Sequence, residues 1–289
     1  MPDSLKAYSG LYGTVGSTLS ITVENGEINL PGMMNGLIPE QTYLYTGDQA
    51  FTGKDGRTII SFDEQSNGHT YVRVKSIMEF AGIGQLPIDY YELQKLDGNT
   101  LDDSAKRAWN ERNGKTYYAV NEKINSLLYL APQALSKTIQ LDEGSGYANG
   151  TIITDDNHAV NIAEIPVMNG RDTYDLTFYQ EKGIEYLQSG GRTLISEEAV
   201  TSIYNGRASV TTIPASGHAR WFQIGEGAGG RTMTVDLPES SGFAVYDAKG
   251  MPVHISAANS SRTAILPESG LIVFGGEAGD VFKITLERK

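Results

Sequence analysis

Gly225, Gly227 and Gly230 stand at the spacing of G-x-G-x-x-G, a loop that cradles a pyrophosphate when a strand enters it and a helix leaves it. Ahead of the loop lies Arg220-Trp221-Phe222-Gln223-Ile224, and behind it Met233, Val235 and Leu237 alternate with polar residues, the period of a strand. A glycine-rich turn between two strands predicts a hairpin and removes the helix that a dinucleotide needs. Acyl transfer through an activated serine needs Ser-x-x-Lys or Gly-x-Ser-x-Gly, and neither occurs in the chain. His69, His158, His218 and His254 stand far apart, in no metal-ligand spacing. The acidic pairs Asp102-Asp103, Asp155-Asp156 and Glu197-Glu198 fall at a helix start, a tight turn and a second helix start, where carboxylates are favoured locally. They do not mark a glycosidase pair, and Asp155-Asp156-Asn157 is too short for a calcium loop. The expectation is a chain with no catalytic residue, no metal and no cofactor.

Aromatic residues are the remaining candidates. Tyr43 and Tyr45 share one face of a strand, whereas Tyr90 and Tyr91 are adjacent and point to opposite faces, as do Tyr117 and Tyr118. One tyrosine of each adjacent pair is expected in a core and the other at solvent or a partner surface. Tyr43, Tyr45, Tyr91 and Trp221 are therefore the candidate ligand-binding residues, as stacking platforms for a carbohydrate or cell-wall polymer.

The elements that would carry them are strands. Across 289 residues there are 33 Gly, 16 Tyr and no Cys, a balance that favours strands and tight turns and excludes disulfides and thiolate sites. The net charge of −12 disfavours nucleic acid and anionic membrane surfaces as partners. No run of about twenty apolar residues predicts a membrane span, and Met1-Pro2-Asp3-Ser4 does not begin a secretory signal.

Ser17 to Glu24 alternates, Asn25-Gly26 supplies a two-residue turn, and Glu27 to Leu30 returns. Further strands are expected at 41–45, 57–62, 69–75 and 87–94, which with the first two makes about six strands of a small meander barrel over 1–97. Asp102 to Arg112, ended by Asn113-Gly114, predicts one connecting helix. A second β domain is expected over 98–207, with strands at 116–120, 137–141, 150–154, 159–165, 172–179, 183–187 and 192–195. A C-terminal β-sandwich or jelly roll is expected over 208–289.

Leu5-x-x-Tyr8-Ser-Gly10-Leu-Tyr12-Gly13, followed by the alternating strand and Asn-Gly, resembles the opening of the small lipocalin-like β domain that follows the catalytic domain in penicillin-recognising serine hydrolases. That group covers class C β-lactamase-like esterases and D-aminopeptidases. Trp109 to Tyr118 and the ending Leu266 to Phe282 are similar to the long C-terminal extensions of secreted members of the group. Tyr147-Ala148-Asn149 matches the Tyr-x-Asn element of these enzymes but has no Ser-x-x-Lys to serve, and is read as a turn before a strand. The resemblance implies an all-β chain that is extracellular or at the cell surface, and non-catalytic. It also implies an upstream catalytic domain of the same polypeptide as partner, with self-association as a second possible contact. The rival expectations are a free-standing carbohydrate-binding module and a hydrolase using an unmarked carboxylate pair.

Overall fold

A computed structural model describes residues 1–14, 16–33, 37–124, 127–142, 144–162 and 174–287. It is all-β, as composition and periodicity predict. The chain divides into two compact units, Met1–Glu111 with Gln140–Asp175, and Arg112–Ile139 with Leu176–Lys289. This differs from three consecutive domains cut at 97 and 207, because each unit is assembled from two stretches of chain.

In the first unit eight antiparallel strands form a barrel-like sheet: β1 (Gly10–Thr14), β2 (Ser17–Ile21), β3 (Glu27–Leu30), β4 (Gln41–Gly47), β5 (Ala50–Gly53), β6 (Thr58–Glu64), β7 (Thr70–Phe80) and β8 (Gly84–Lys95). Their order is β2-β1-β8-β7-β6-β5-β4-β3, a meander that is nearly closed. Asn25 and Gly26 both adopt positive φ, as a two-residue turn requires, and Glu24 and Glu27 exchange hydrogen bonds across them. β2 and β3 nevertheless form no ladder with each other, so the seam of the barrel lies at the turn read as a hairpin.

Inward residues fill the barrel, among them Tyr12, Tyr43, Phe51, Ile60, Val74 and Leu93. Each such burial contributes about 1.5–3 kcal/mol, which favours apolar residues at the inward positions of these strands. A 3-10 turn, Asp3–Tyr8, adds the buried Leu5, and the Tyr8 ring stacks on Phe62 at 4.6 Å between centroids.

β7 and β8 run in register with one irregularity: Val72 pairs with Leu93 and Arg73 with Tyr91, so Glu92 is an extra residue in β8. The bulge sends Glu92 and Leu93 inward one after the other. Glu92 is only 8% exposed, and burial pushes its carboxyl above the ordinary value of 4.5.

Helix α1 (Asp103–Arg112) forms as its sequence predicts. The Asp102 carboxylate accepts from the Ala105 N–H at 2.8 Å as N-cap, and Gly114 takes φ +84° just beyond the end. Trp109 is fully buried, and its indole donates to the Asp155 carbonyl at 2.7 Å, which fastens the helix to a turn some forty residues downstream.

The chain continues through β9 (Thr116–Ala119), β10 (Ser136–Thr138), β11 (Leu141–Asp142), β12 (Tyr147–Ala148), β13 (Thr151–Ile153), β14 (His158–Asn161), β15 (Leu176–Glu181), β16 (Ile184–Ser189) and β17 (Arg192–Ser196). β11 to β14 belong to the first unit and pair in sequence. The expected strand ends at 163–165 and 172–173 lie outside the described residues. Tyr147-Ala148-Asn149 is a strand end and turn, with Asn149 at φ +48°.

In the second unit β9, β10, β15, β16 and β17 take the order β10-β9-β17-β16-β15. The rest of this unit is a sandwich of two four-stranded sheets. β18 (Ala208–Thr212), β25 (Val281–Glu287), β20 (Thr232–Asp236) and β23 (Thr263–Ile265) form one, in that order. β19 (Ala219–Gln223), β24 (Gly270–Gly275), β21 (Gly242–Asp247) and β22 (Pro252–Ile255) form the other. Phe222, Met233, Val235, Phe243, Phe274 and Phe282 meet between them.

The loop at 225–230 is therefore not a hairpin. β19 pairs with β24 and β20 with β25 and β23, so the glycine segment crosses from one sheet to the other. Phe222 and Met233 thus reach the inter-sheet core from opposite sheets, and Gly227 and Gly230 supply φ +81° and +71° for the crossing. No helix follows the loop, so the pyrophosphate reading stays excluded. Among the described residues no helix is long and apolar enough to cross a membrane.

Because burial raises the Glu92 carboxyl, the folded state holds that proton more tightly than the unfolded state. The associated stability is present below the unfolded value and is lost as pH rises through the folded one. Glu92→Gln is expected to change stability little at pH 4 and to be more stable than the parent at pH 7, with urea midpoints at the two pH values as the check. Equal midpoint differences at both would contradict a desolvated Glu92.

Candidate functional site

Trp221 and Phe222 are neighbours on β19 and point to opposite faces. Phe222 enters the sandwich core, while Trp221 leaves the sandwich and meets β9. Its indole donates to the Ala119 carbonyl at 2.7 Å, and its ring lies 5.1 Å from Tyr118 and 6.1 Å from Tyr246. The Tyr246 hydroxyl in turn donates to the Tyr129 carbonyl at 2.8 Å. The indole N–H and the Tyr246 hydroxyl are therefore satisfied away from water by backbone carbonyls.

Two clefts of the second unit share this ring as a wall. The first holds about 530 Å3. Its sides come from β16 and β17 (Ile184, Tyr186, Ile195), from the turn after β17 (Val200), and from the 214–217 loop, with Trp221 opposite. The surface is mainly apolar, with Glu181 as the carboxylate at its margin. That carboxylate has an exposed neighbour in Lys182, at 3.7 Å. Lys182 and Arg220 also line the cleft, the Arg220 guanidinium lying 5.4 Å from the Phe222 ring and donating to the Thr212 carbonyl. A cleft of this size and lining suits a small organic molecule with a flat apolar body.

The second cleft, about 630 Å3, is lined by hydroxyl and amide groups: Thr116, Ser136, Thr138 and Gln223, with Asp247 and Lys249 at the β21–β22 turn. Tyr118 and Trp221 form its apolar floor. Burial pushes the Tyr118 hydroxyl up, with a smaller push from Glu197, so it stays a neutral hydrogen-bonding group.

The candidate residues read from sequence do not converge. Tyr43 is fully buried in the barrel, its hydroxyl accepting from Gln41 at 3.2 Å, so it cannot be an exposed platform. Tyr45 packs on the same core, 5.7 Å from Phe51. Tyr91 lies on the outer face of β8, where its hydroxyl donates to Asp63 and accepts from Gln65, beside the Arg73–Asp89 ion pair. Trp221 is 4% exposed, which removes it as a surface stacking platform and makes it an internal wall. Tyr117 is buried, as one tyrosine of its pair should be, and Tyr118 is half-buried with its ring 5.1 Å from Trp221.

No family model, curated protein or solved structure matches the chain. The site rests on its own geometry. Among the described residues no group of three or more His, Asp or Glu is placed to hold a metal. The Asp155 carboxylate is held low by the Asn157 and His158 backbone N–H groups and the His158 ring, which explains it as turn chemistry.

Sequence reasoning did not assemble the clefts, yet one signal pointed there. Trp221-Phe222, Phe243-Ala-Val-Tyr246 and Ile272-Val-Phe274 are continuous apolar runs, the mark of strands buried on both faces. Trp221→Ala is expected to destabilise the second unit by about 3–5 kcal/mol, and Trp221→Phe by roughly 1–3 kcal/mol through the unpaired Ala119 carbonyl. Denaturant unfolding followed by circular dichroism measures both.

Proposed function

We propose that this chain is a non-catalytic accessory module that holds a small, flat, largely apolar molecule in the cleft between β16–β17 and Trp221. The observation that carries the reading is the cleft itself, about 530 Å3 of mainly apolar surface with Glu181, Lys182 and Arg220 as its charged lining. Function then resides in a shaped surface, and the chemistry belongs to a partner enzyme. The barrel-like first unit is the fold that the likeness to penicillin-recognising hydrolases implies for an accessory region, which supports a serine hydrolase domain as that partner.

The probe is N-phenyl-1-naphthylamine, which fluoresces on entering an apolar site. Saturable enhancement is expected with the intact chain, and Ser216→Trp, which places an indole at the loop edge of the cleft, should weaken it at least tenfold without loss of structure. Unchanged enhancement in that variant would refute the site. The chain itself should hydrolyse neither nitrocefin nor p-nitrophenyl esters; turnover abolished by a serine-directed inhibitor would refute the non-catalytic assignment.

The second cleft favours a second reading. Its hydroxyl and amide lining over a tyrosine and tryptophan floor suits a saccharide, which offers matching hydroxyls and an apolar ring face. Retention on insoluble polysaccharide, lost in Gln223→Ala with the naphthylamine response intact, would move the carbohydrate-binding reading to first place.

A further inference from the structure

The charges lining the 530 Å3 cleft beside Trp221 do not balance. Glu181 and Lys182 belong to the tight turn between β15 and β16, where Lys182 and Gly183 both take positive φ, and the Lys182 ammonium lies 3.7 Å from the Glu181 carboxylate. That cation offsets that carboxylate. Arg220 has no such neighbour: among the described residues its guanidinium meets no carboxylate, donating through Nη1 to the Thr212 carbonyl and lying 5.4 Å from the Phe222 ring. Thr212 ends β18 just before the 214–217 loop, so this bond holds the guanidinium near the foot of the loop that walls the cleft. A guanidinium carries five N–H donors in a planar fork, and a single carbonyl leaves most of them open.

The apolar part of the cleft has two rings fixed in place. Tyr186 stacks on Tyr179, with centroids 5.2 Å apart and planes 12° apart. Trp221 is held by its indole bond to the Ala119 carbonyl and by the rings of Tyr118 and Tyr246. Walls ordered before a guest arrives reduce the entropy lost on binding it, and aromatic walls favour a flat guest.

We propose that this cleft selects an aromatic anion, a flat ring system bearing one carboxylate or sulfonate, with its rings between Tyr186 and Trp221 and its anionic group at Arg220; this rests on the cleft being the binding site assigned above. The chemistry selects the class. An aromatic cation would meet Lys182 and Arg220 with the only lining carboxylate already offset. A neutral aromatic gains nothing from the guanidinium. Two oxygens of a carboxylate or sulfonate match its fork with two charge-assisted hydrogen bonds. Ser216 and Thr201, also in the lining, carry further hydroxyl donors. The net charge of −12 repels anions from the chain as a whole, so a preference for an anion has to come from local cations.

N-phenyl-1-naphthylamine and 8-anilinonaphthalene-1-sulfonate share one skeleton and differ by the sulfonate. The intact chain is titrated with each at low ionic strength, and each is competed against the other. The sulfonate is expected to bind more tightly by about threefold or better and to displace the neutral amine. Its advantage is read as the ratio of the two dissociation constants, so that any change common to both dyes cancels. That ratio should fall towards one in Arg220→Gln and as sodium chloride is raised. A saturable response to the neutral amine with no tighter binding of the sulfonate overturns the anion preference and leaves the cleft reading standing, whereas no saturable response to either dye overturns both. A sulfonate response that survives Ser216→Trp, or that leaves the amine bound, overturns the preference, as does an advantage undiminished in Arg220→Gln. Should Arg220→Gln prove misfolded by circular dichroism, the parent decides: an advantage that falls with salt supports the proposal, and one indifferent to salt overturns it.

Discussion

The second unit depends on one buried indole. Trp221 projects from the sandwich, and its N–H must find an acceptor because no water reaches it. The acceptor is the Ala119 carbonyl of β9, a strand some hundred residues earlier in the chain. That single geometric demand places β19 against β9 and brings Tyr246 onto the other side of the ring. A sheet with Phe222 and Phe274 in the sandwich core and Trp221 on the opposite side is covered on both faces. Both clefts are bounded by the same ring, so the wall that holds the layers together also shapes the space between them.

On the far face of β9 a different solution appears. Arg112 reaches Glu185 with two N–H donors, at 3.1 and 2.9 Å, and the Tyr117 hydroxyl donates to the other carboxylate oxygen at 2.6 Å. The guanidinium also lies over Phe178 at 4.1 Å. A buried ion pair returns little net stability, because desolvation of both charges offsets their attraction. Its geometry is demanding, however, and it fixes the last residue of α1 against β16. Removing one partner would cost far more than replacing the set with apolar residues.

In the second unit the buried Trp221 indole and the Tyr246 and Tyr117 hydroxyls each find a carbonyl or a carboxylate. In the barrel, the Tyr12 hydroxyl donates to the Tyr8 carbonyl, Thr58 pairs with Ser76, and Tyr90 is the partner of Glu92. The bulge resets the alternation of β8, so that Leu93 joins Ile88 and Tyr90 on the barrel core although the period of two would have placed it outward.

Local physics in the sequence determined most of the strands, the helix over Asp102 to Arg112 with its aspartate cap, and the turns at Asn25-Gly26 and Asp155-Asp156-Asn157. Each depends on residues within a few positions of one another, so alternation, capping and positive-φ preference suffice. β1 and β5 escaped because they are short and rich in glycine, with too few alternating positions to register a period. The tertiary structure alone decided the rest. Whether β19 and β20 share a sheet is invisible locally, since a glycine loop serves a hairpin and a crossover equally well. The split of the chain into two interleaved units follows from distant contacts such as Trp109 to Asp155 and Trp221 to Ala119. The exposure of Trp221 and Tyr43 depended on what packs against them, and alternation tells which face a side chain occupies but not what covers that face.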